Sequence, residues 1–562
     1  MRSIFWVLII FLYGCSQEPQ SEQVSAEAVK LSKKTKNTGI NAITEEALTQ
    51  HIKTLASDDF GGRAPGTQGE TLTIEYLINE FKNAGLQPGN GESFTQAVPL
   101  TSVEAINRPQ LIIGDDKGDD LSLIYTEQQV IWTRQQTESV SIDKSQFVFV
   151  GYGINAPENN WNDYSDIDVK GKTVVMLVND PGYATQDNNL FKGNSMTYYG
   201  RWDYKLDEAA RQGAAAAIII HDTKPASYPW STVASSWTGP QFDMVRQDKG
   251  KQLALVEGWI TKSVAEKLFD KAGLNLQEMY KIAQTREFKA VEMNLSVTAT
   301  INNKINTIDS QNVVAMLKGS EAPDEVFIYM AHWDHIGTDP TMSGDNIFNG
   351  ALDNATGTGG LIEIAKAYTS LPENPKRSVV FIALTAEEQG LLGSAYYAAH
   401  PIFPLAQTIG GLNMDGLNYF GPTNDVTVVG YGMSELDGYL AKNAKAQGRI
   451  LKPDPVPQNG YYYRSDHFEL AKLGVPMLYP NIGLDHKEKG IEYGTLKEDE
   501  YTANHYHGPS DEYDSSWKLN GAVEDLQLYF LTGNDIVNSS DWPEWGDDTE
   551  FKEIRNIQLK KK

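Results

Sequence analysis

The run Ser378-Val379-Val380-Phe381-Ile382-Ala383-Leu384 is followed, after Thr385-Ala386, by two adjacent carboxylates, Glu387 and Glu388. A run this short, β-branched and aromatic, stopped by polar residues and Gly390, reads as a strand buried on both faces. Two like charges at the end of such a strand raise each other's pKa and resist burial unless a cation or a hydrogen-bond network compensates. No neighbouring Lys or Arg supplies the positive charge, whereas a divalent metal would. Similar strand ends offer ligands: His332 follows the run 325–331, Asp415 follows the run 408–414, and Asp353 lies in the loop that opens the next helix. In an open α/β sheet, side chains at the carboxyl ends of parallel strands converge on one crevice. Residues distant in sequence are therefore expected to share one site.

The second half of the chain alternates strand and helix patterns: strands at 325–331, 378–384, 407–414, 426–430 and 475–479, helices near 356–370, 389–400, 434–447, 465–473 and 517–537. That alternation predicts an α/β domain with a mostly parallel mixed sheet and helices on both faces. Residues 42–110 read as the first part of this domain and 300–540 as its second part, with a tail over 541–562 expected at the surface. The interruption, 111–299, is β-rich. Its strings Val148-Phe149-Val150-Gly151-Tyr152-Gly153-Ile154, 168–178 and 209–220 resemble the protease-associated domain, an insert that packs beside a peptidase cleft.

At 562 residues and 40% hydrophobic content the chain has material for two or more cores. A formal net charge of -26 argues against binding a nucleic-acid backbone, which needs clustered Lys and Arg. The N-terminus carries Arg2, an apolar run from Ile4 to Leu12, and then Tyr13-Gly14-Cys15-Ser16. The run is too short for a stable membrane anchor and fits an export signal. It resembles a bacterial lipoprotein signal over 1–15, which implies a lipidated Cys15 whose acyl groups tether the chain to a membrane, with the polar stretch 16–41 as the spacer. The expected location is the outer membrane, the periplasm or the cell surface; an ordinary cleaved signal is the alternative. Cys15 is the single cysteine, so no intrachain disulfide forms.

The candidate metal ligands are His332, Asp353, Glu388, Asp415 and His507. A mixed nitrogen and oxygen set suits zinc, and manganese or cobalt less well. Five ligands are one too many for a tetrahedral structural site, but they suit two ions about 3.5 to 4 Å apart with one bridging carboxylate. Asp353 is the natural bridge, because Gly350-Ala351-Leu352-Asp353-Asn354 is a tight loop. Asp334, two residues after His332 on an extended chain, is expected to hold that imidazole with its carboxylate. The string Arg464-Ser465-Asp466-His467 resembles the loop beside the active site in the peptidase family whose motifs follow, which implies that Arg464 or His467 touches substrate; a helix cap by Ser465 or Asp466 is the alternative reading of the same letters. His335 is expected to hydrogen-bond near the site, and His486 and His505 to be exposed.

The strings Ala331-His332-Trp333-Asp334-His335, 349–357, Thr385-Ala386-Glu387-Glu388-Gln389-Gly390, Asn413-Met414-Asp415-Gly416 and 506–511 resemble those of the clan MH zinc exopeptidases. That group includes bacterial leucyl aminopeptidases and the glutamate carboxypeptidase II type with a protease-associated insert. The resemblance implies two zinc ions: His332, Asp415 and a shared Asp353 hold one, and Glu388, His507 and Asp353 hold the other. It also implies Glu387 as general base and Tyr506 as a donor to the oxyanion. The expected substrate is a peptide and the expected activity an aminopeptidase. Carboxypeptidase or dipeptidase action, a glutaminyl cyclase-type transferase and a non-catalytic receptor-like protein are the alternatives; nothing in the sequence speaks to oligomeric state.

Overall fold

The computed structural model describes residues 38–115 and 118–560. The expected signal with Cys15, most of the expected tether, and Lys561 and Lys562 lie outside the described residues. The chain is a mixed α/β structure. The elements that carry the site are β1 (Thr95–Ala105), β2 (Val291–Leu317), β3 (Ala322–His332), α1 (Thr356–Thr369), β4 (Arg377–Leu384), α2 (Leu392–Ala399), β5 (Thr408–Asn413), β6 (Asp425–Val429), α3 (His467–Ala471), β7 (Met477–Asn481) and α4 (Asn520–Val537).

Strands β4, β3, β5 and β7 lie side by side in that order, all parallel. β2 flanks them antiparallel on one side and β6 on the other. Successive side chains of a strand point to opposite faces, so the two faces build separate cores. Phe327, Tyr329, Ala331, Val379, Phe381 and Ala383 join the core with Leu361 of α1 and Leu526 of α4. Val326, Ile328, Met330, Val380, Ile382 and Leu384 join the other, with Tyr397 of α2 and Phe468 of α3. Every residue of β4 is buried, as a strand covered on both sides demands.

A further pair of cores is built from residues between 111 and 301. There Ser139–Phe149, Thr173–Leu177, Ala216–His221 and Val256–Thr261 form a parallel ladder. β2 ties this region to the main sheet: residues 296–302 pair with Ser139–Phe149, 303–313 with β1, and 313–317 with β4. The chain thus leaves the β-rich region along a continuous strand rather than through a loop.

Two stretches expected to be solvated are packed instead. Residues 38–42 are helical and Gly39 is buried against Phe530. In the tail, Trp545, Phe551 and Arg555 are buried, and Arg555 Nη2 donates to the Thr408 carbonyl at 2.6 Å. Charged residues of both signs surround these anchors in the sequence, and the anchors close the core beneath α3. Among the described residues no helix is long and apolar enough to cross a membrane.

Candidate metal centre and active site

β4 ends at Leu384, and Ala386 takes a left-handed conformation (φ 53°) that turns the chain out of the sheet just before Glu387 and Glu388. His332 closes β3, Asp415 follows β5, and Asp353 arrives from the loop before α1. His332 Nε2 lies 3.2 Å from Asp353 Oδ1 and 3.2 Å from Asp415 Oδ1. The other Asp353 oxygen, Oδ2, lies 3.3 Å from His507 Nε2, which is 3.0 Å from Glu388 Oε2. One carboxylate therefore faces two ligand sets at once, one through each oxygen.

The surrounding hydrogen bonds decide which atom of each group faces inward. His332 Nδ1–H donates to the backbone carbonyl of Asp334 at 3.1 Å, which leaves Nε2 with its lone pair toward the carboxylates. This corrects the expected role of the Asp334 carboxylate, whose nearer oxygen is 3.9 Å from that ring. Alternation fails there because β3 ends at His332 and the chain turns. The Asp334 carboxylate instead accepts the N–H of Glu387 at 3.0 Å and of Glu388 at 3.4 Å, and so fixes the turn that carries the two glutamates.

Asn413 Nδ2 donates to Ser465 Oγ at 2.7 Å, so the serine proton must go to its other neighbour, Asp415 Oδ2, at 2.6 Å. That bond occupies one Asp415 oxygen and leaves Oδ1 for the His332 side. Asp466 accepts from Ser394 at 2.6 Å, so neither Ser465 nor Asp466 caps α3, contrary to the alternative read from the sequence. Ser465→Ala is expected to weaken zinc binding roughly 10- to 100-fold, measured by competition with a chelator of known affinity. On the other side His335, fully buried, lies with Nδ1 2.5 Å from Glu388 Oε1, which leaves Oε2 for His507.

Arg63 was not singled out by the sequence, yet it organises two of these loops. Fully buried, it donates to the carbonyls of Trp333 (2.8 Å), Leu55 (2.7 Å), Asn349 (2.6 Å) and Gly350 (2.9 Å). Burial pulls its pKa down to about 10, against the attraction of Asp511 and Asp334. Its N–H groups go to carbonyls, so it clamps the turn after β3 and the loop before α1 to the end of the helix at Leu55. Arg63→Met leaves four buried carbonyls unpaired and is expected to cost about 3 kcal/mol or more, measured from the urea midpoint. Asp511 does the same for the bridge: its two oxygens accept the N–H of Leu352 at 3.0 Å and of Asp353 at 3.1 Å.

The electrostatics ask for positive charge at the two Nε2 atoms. Burial alone would lower the pKa of His332, but Glu387, Asp353 and Asp415 outweigh it and hold it well above the ordinary imidazole value. At His507 burial is likewise overcome, by Glu388 and Asp353, to about 11. A tetrahedral zinc with bonds of about 2.0–2.2 Å sets its donor atoms about 3.3–3.6 Å apart. The separations of 3.0–3.3 Å fall within a few tenths of that. One donor each of His332, Asp353 and Asp415 lie within 4.8 Å of one another, as do one each of His335, Asp353 and Glu388, so donors suited to zinc gather on both sides of Asp353.

Tyr506 is 52% exposed, and its ring stacks on that of His507 at 3.9 Å. Burial of its hydroxyl end, with the charges of Asp353 and Glu388, lifts the phenol well above its ordinary pKa, so it remains a donor. Arg464 is half-buried beneath Tyr461, the neighbour of two buried tyrosines, Tyr462 and Tyr463. His467 is corrected: it is fully buried between Tyr462 and Tyr479, with ring centres 4.6 and 4.7 Å away, and offers no atom to a substrate. Desolvation depresses its pKa to about 3, the behaviour of a core imidazole. His486 is also buried rather than exposed, because its Nδ1 accepts the N–H of Glu488 and Lys489.

Residues 312–531 match the sequence profile of Peptidase family M28. A probable leucine aminopeptidase 2 of Aspergillus oryzae is 30% identical over 341 residues, 61% of this chain and 51% of that one. A probable zinc metalloprotease of Pyrenophora teres f. teres is 30% identical over 134 residues, 22% of this chain and 27% of that one. The chain thus spans about half or less of the length of these relatives. Among solved structures, an aminopeptidase from Aneurinibacillus sp. strain AM-1 aligns with 18% identity and a TM-score of 0.49, covering 88% of this chain and 94% of that one.

Proposed function

With residues 312–531 matching Peptidase family M28, we propose that the protein is a zinc-dependent aminopeptidase that holds two ions and removes N-terminal residues from peptides. The observation that carries this reading is Asp353, whose two oxygens face His332 and His507 separately. His332, Asp353 and Asp415 would hold one ion, and Glu388, His507 and Asp353 the other. When bound, the ions acidify a water and polarise the scissile carbonyl.

The chain's own residues do the proton work. Glu387 is held at the lip of the site by its N–H bond to Asp334 and remains partly exposed. Burial raises its pKa, and the Glu388 charge adds to this against the attraction of His332. A carboxylate of raised pKa is the better base. It takes the proton of the attacking water and returns it to the leaving amine. Tyr506 donates its hydroxyl proton in a hydrogen bond to the oxygen that gains charge.

Export and attachment through a lipidated Cys15 belong to the same proposal, supported by the apolar run Ile4 to Leu12 and the cysteine that follows it. Labelled palmitate entering the wild type but not Cys15→Ala supports it; equal labelling of both sinks it. The activity is tested with a panel of free-amine and N-blocked peptides, with and without chelator. Cleavage of the free-amine members alone, lost on chelation, is the expected result. Preferential cleavage of blocked peptides would turn the reading toward a carboxypeptidase.

A further inference from the structure

The backbone ladder between β2 and β4 runs from Leu317 and Val379 to Val313 and Ala383 and stops there. Beyond it the chain leaves through Thr385 into the loop that carries Glu387 and Glu388, and it returns at Leu392 to begin α2. The loop closes on itself at a neck, where Leu392 N donates to the Ala386 carbonyl at 3.0 Å and Gly393 N to the Thr385 carbonyl at 2.9 Å. Just inside that neck, one on each side, Ala386 and Leu391 take left-handed conformations with φ of 53° and 62°. Residues that carry a Cβ enter this region at a cost. The loop therefore keeps its shape only while its two ends are tied.

The tie is a side chain. Asn312, the residue of β2 next to the end of the ladder, is fully buried. Its Oδ1 accepts the N–H of Thr385 at 3.1 Å, and its Nδ2 donates to the carbonyl of Gly393 at 2.9 Å. One amide thus spans both sides of the neck. An N–H can only donate and a carbonyl can only accept, so the position requires an acceptor and a donor on one short side chain. The second Nδ2 proton goes to Gln96 Oε1 at 3.1 Å, and Gln96 Nε2 in turn donates to the His400 carbonyl at the far end of α2, at 2.8 Å.

The neck leaves no room for adjustment. A Cβ on Gly393 would run into the Thr385 carbonyl oxygen and lie 2.6 Å from Asn312 Oδ1, so glycine is needed for the two sides to approach this closely. At the other end of the loop the Asp334 carboxylate accepts the N–H groups of Glu387 and Glu388. Asp334 holds the glutamates themselves, and Asn312 holds the two points from which their loop springs.

We propose that Asn312 is a positioning residue for Glu387 and Glu388: by closing the neck it keeps the first carboxylate beside the attacking water and the second on the His507 side of Asp353. For Glu387 the inference rests on the peptidase reading above. For Glu388 it is read from zinc binding alone.

The test compares the full chain with N312L, G393A and Q96L. Zinc affinity is measured by competition with a chelator, and kcat and KM for leucine p-nitroanilide are measured with zinc in excess, well below each thermal midpoint. N312L keeps the volume and drops both neck bonds. It should lose about 10- to 100-fold in affinity for one of the two ions and about 100-fold in kcat, with KM changed far less. G393A leaves Asn312 in place and forces the neck open, and should reproduce both losses; should either variant fail to fold, the other decides. Q96L removes the neighbouring amide and leaves both neck bonds, so it should lower the thermal midpoint while kcat and zinc affinity stay near those of the wild type. N312L and G393A that lose thermal stability alone, with kcat and zinc affinity unchanged, overturn the inference, since an amide that merely stabilises the core would behave in that way. Equal losses of kcat in Q96L and N312L overturn it as well. A wild type that fails to cleave leucine p-nitroanilide counts against the peptidase reading, and the zinc affinities of N312L and G393A still decide this inference.

Discussion

In Glu387→Gln, kcat is expected to fall by about 10²- to 10⁴-fold, while the variant retains the zinc content of the wild type. The amide is isosteric with the carboxyl but accepts no proton at neutral pH, so only the base is removed. Its position survives, because the bond that places residue 387 runs from its backbone N–H to Asp334. The closest donor contacts of the site, between His332, Asp353, Asp415, Glu388 and His507, involve no Glu387 atom and should be undisturbed. Stability should not drop either, since burial and the Glu388 charge oppose ionisation of Glu387, and a neutral amide relieves both. Kinetics, metal content and thermal midpoint from one preparation check the three statements together. A kcat near that of the wild type would remove Glu387 from the mechanism.

The second large effect is expected in Asp353→Asn. Asparagine keeps one acceptor oxygen and turns the other into an NH₂ group, which cannot ligate a metal. Because His332 faces one oxygen and His507 the other, either orientation of the amide ruins one ligand set and removes the bridging charge from both. Changes to groups that merely orient ligands already cost roughly 10- to 100-fold in metal affinity, so loss of the shared ligand should exceed about 100-fold and abolish turnover at ordinary zinc concentrations. Asp415→Asn is the informative contrast, since Asp415 contacts only the His332 side. It should lower the metal content by one ion where Asp353→Asn lowers it by two. Equal loss in the two variants would mean that Asp353 is not shared.

The parallel strands β3 and β4 are legible because each is a short apolar run closed by a polar residue, and β4 is buried from end to end. The strand ends placed His332 and Asp415, whose contacts with Asp353 follow from parallel strands ending at one edge. What stayed hidden is either nonlocal or breaks a periodicity. Arg63 reaches the site from 270 residues away to bond the Trp333 carbonyl, and nothing in the Gly61-Gly62-Arg63 sequence announces it. Strand alternation misplaces the Asp334 carboxylate because the strand stops at His332. The helix Ile491–Asn504 escaped because Gly494 is its one buried residue, so it shows no apolar stripe. β2 has no counterpart among the expected strands for a related reason: polar residues over 302–312 interrupt an apolar pattern that the backbone carries through without a break. His467 looked like a ligand contact by its letters, whereas the fold spends it on packing between two tyrosines.

The central claim is a binuclear centre joined through Asp353. The most direct measurement is zinc content of the dialysed full chain by elemental analysis, with anomalous diffraction at the zinc edge to place each ion. Two ions per chain, one on the His332 and Asp415 side and one on the His507 and Glu388 side with Asp353 between them, is the predicted result. A single ion, or two with Asp353 bound to neither or to one alone, would contradict it.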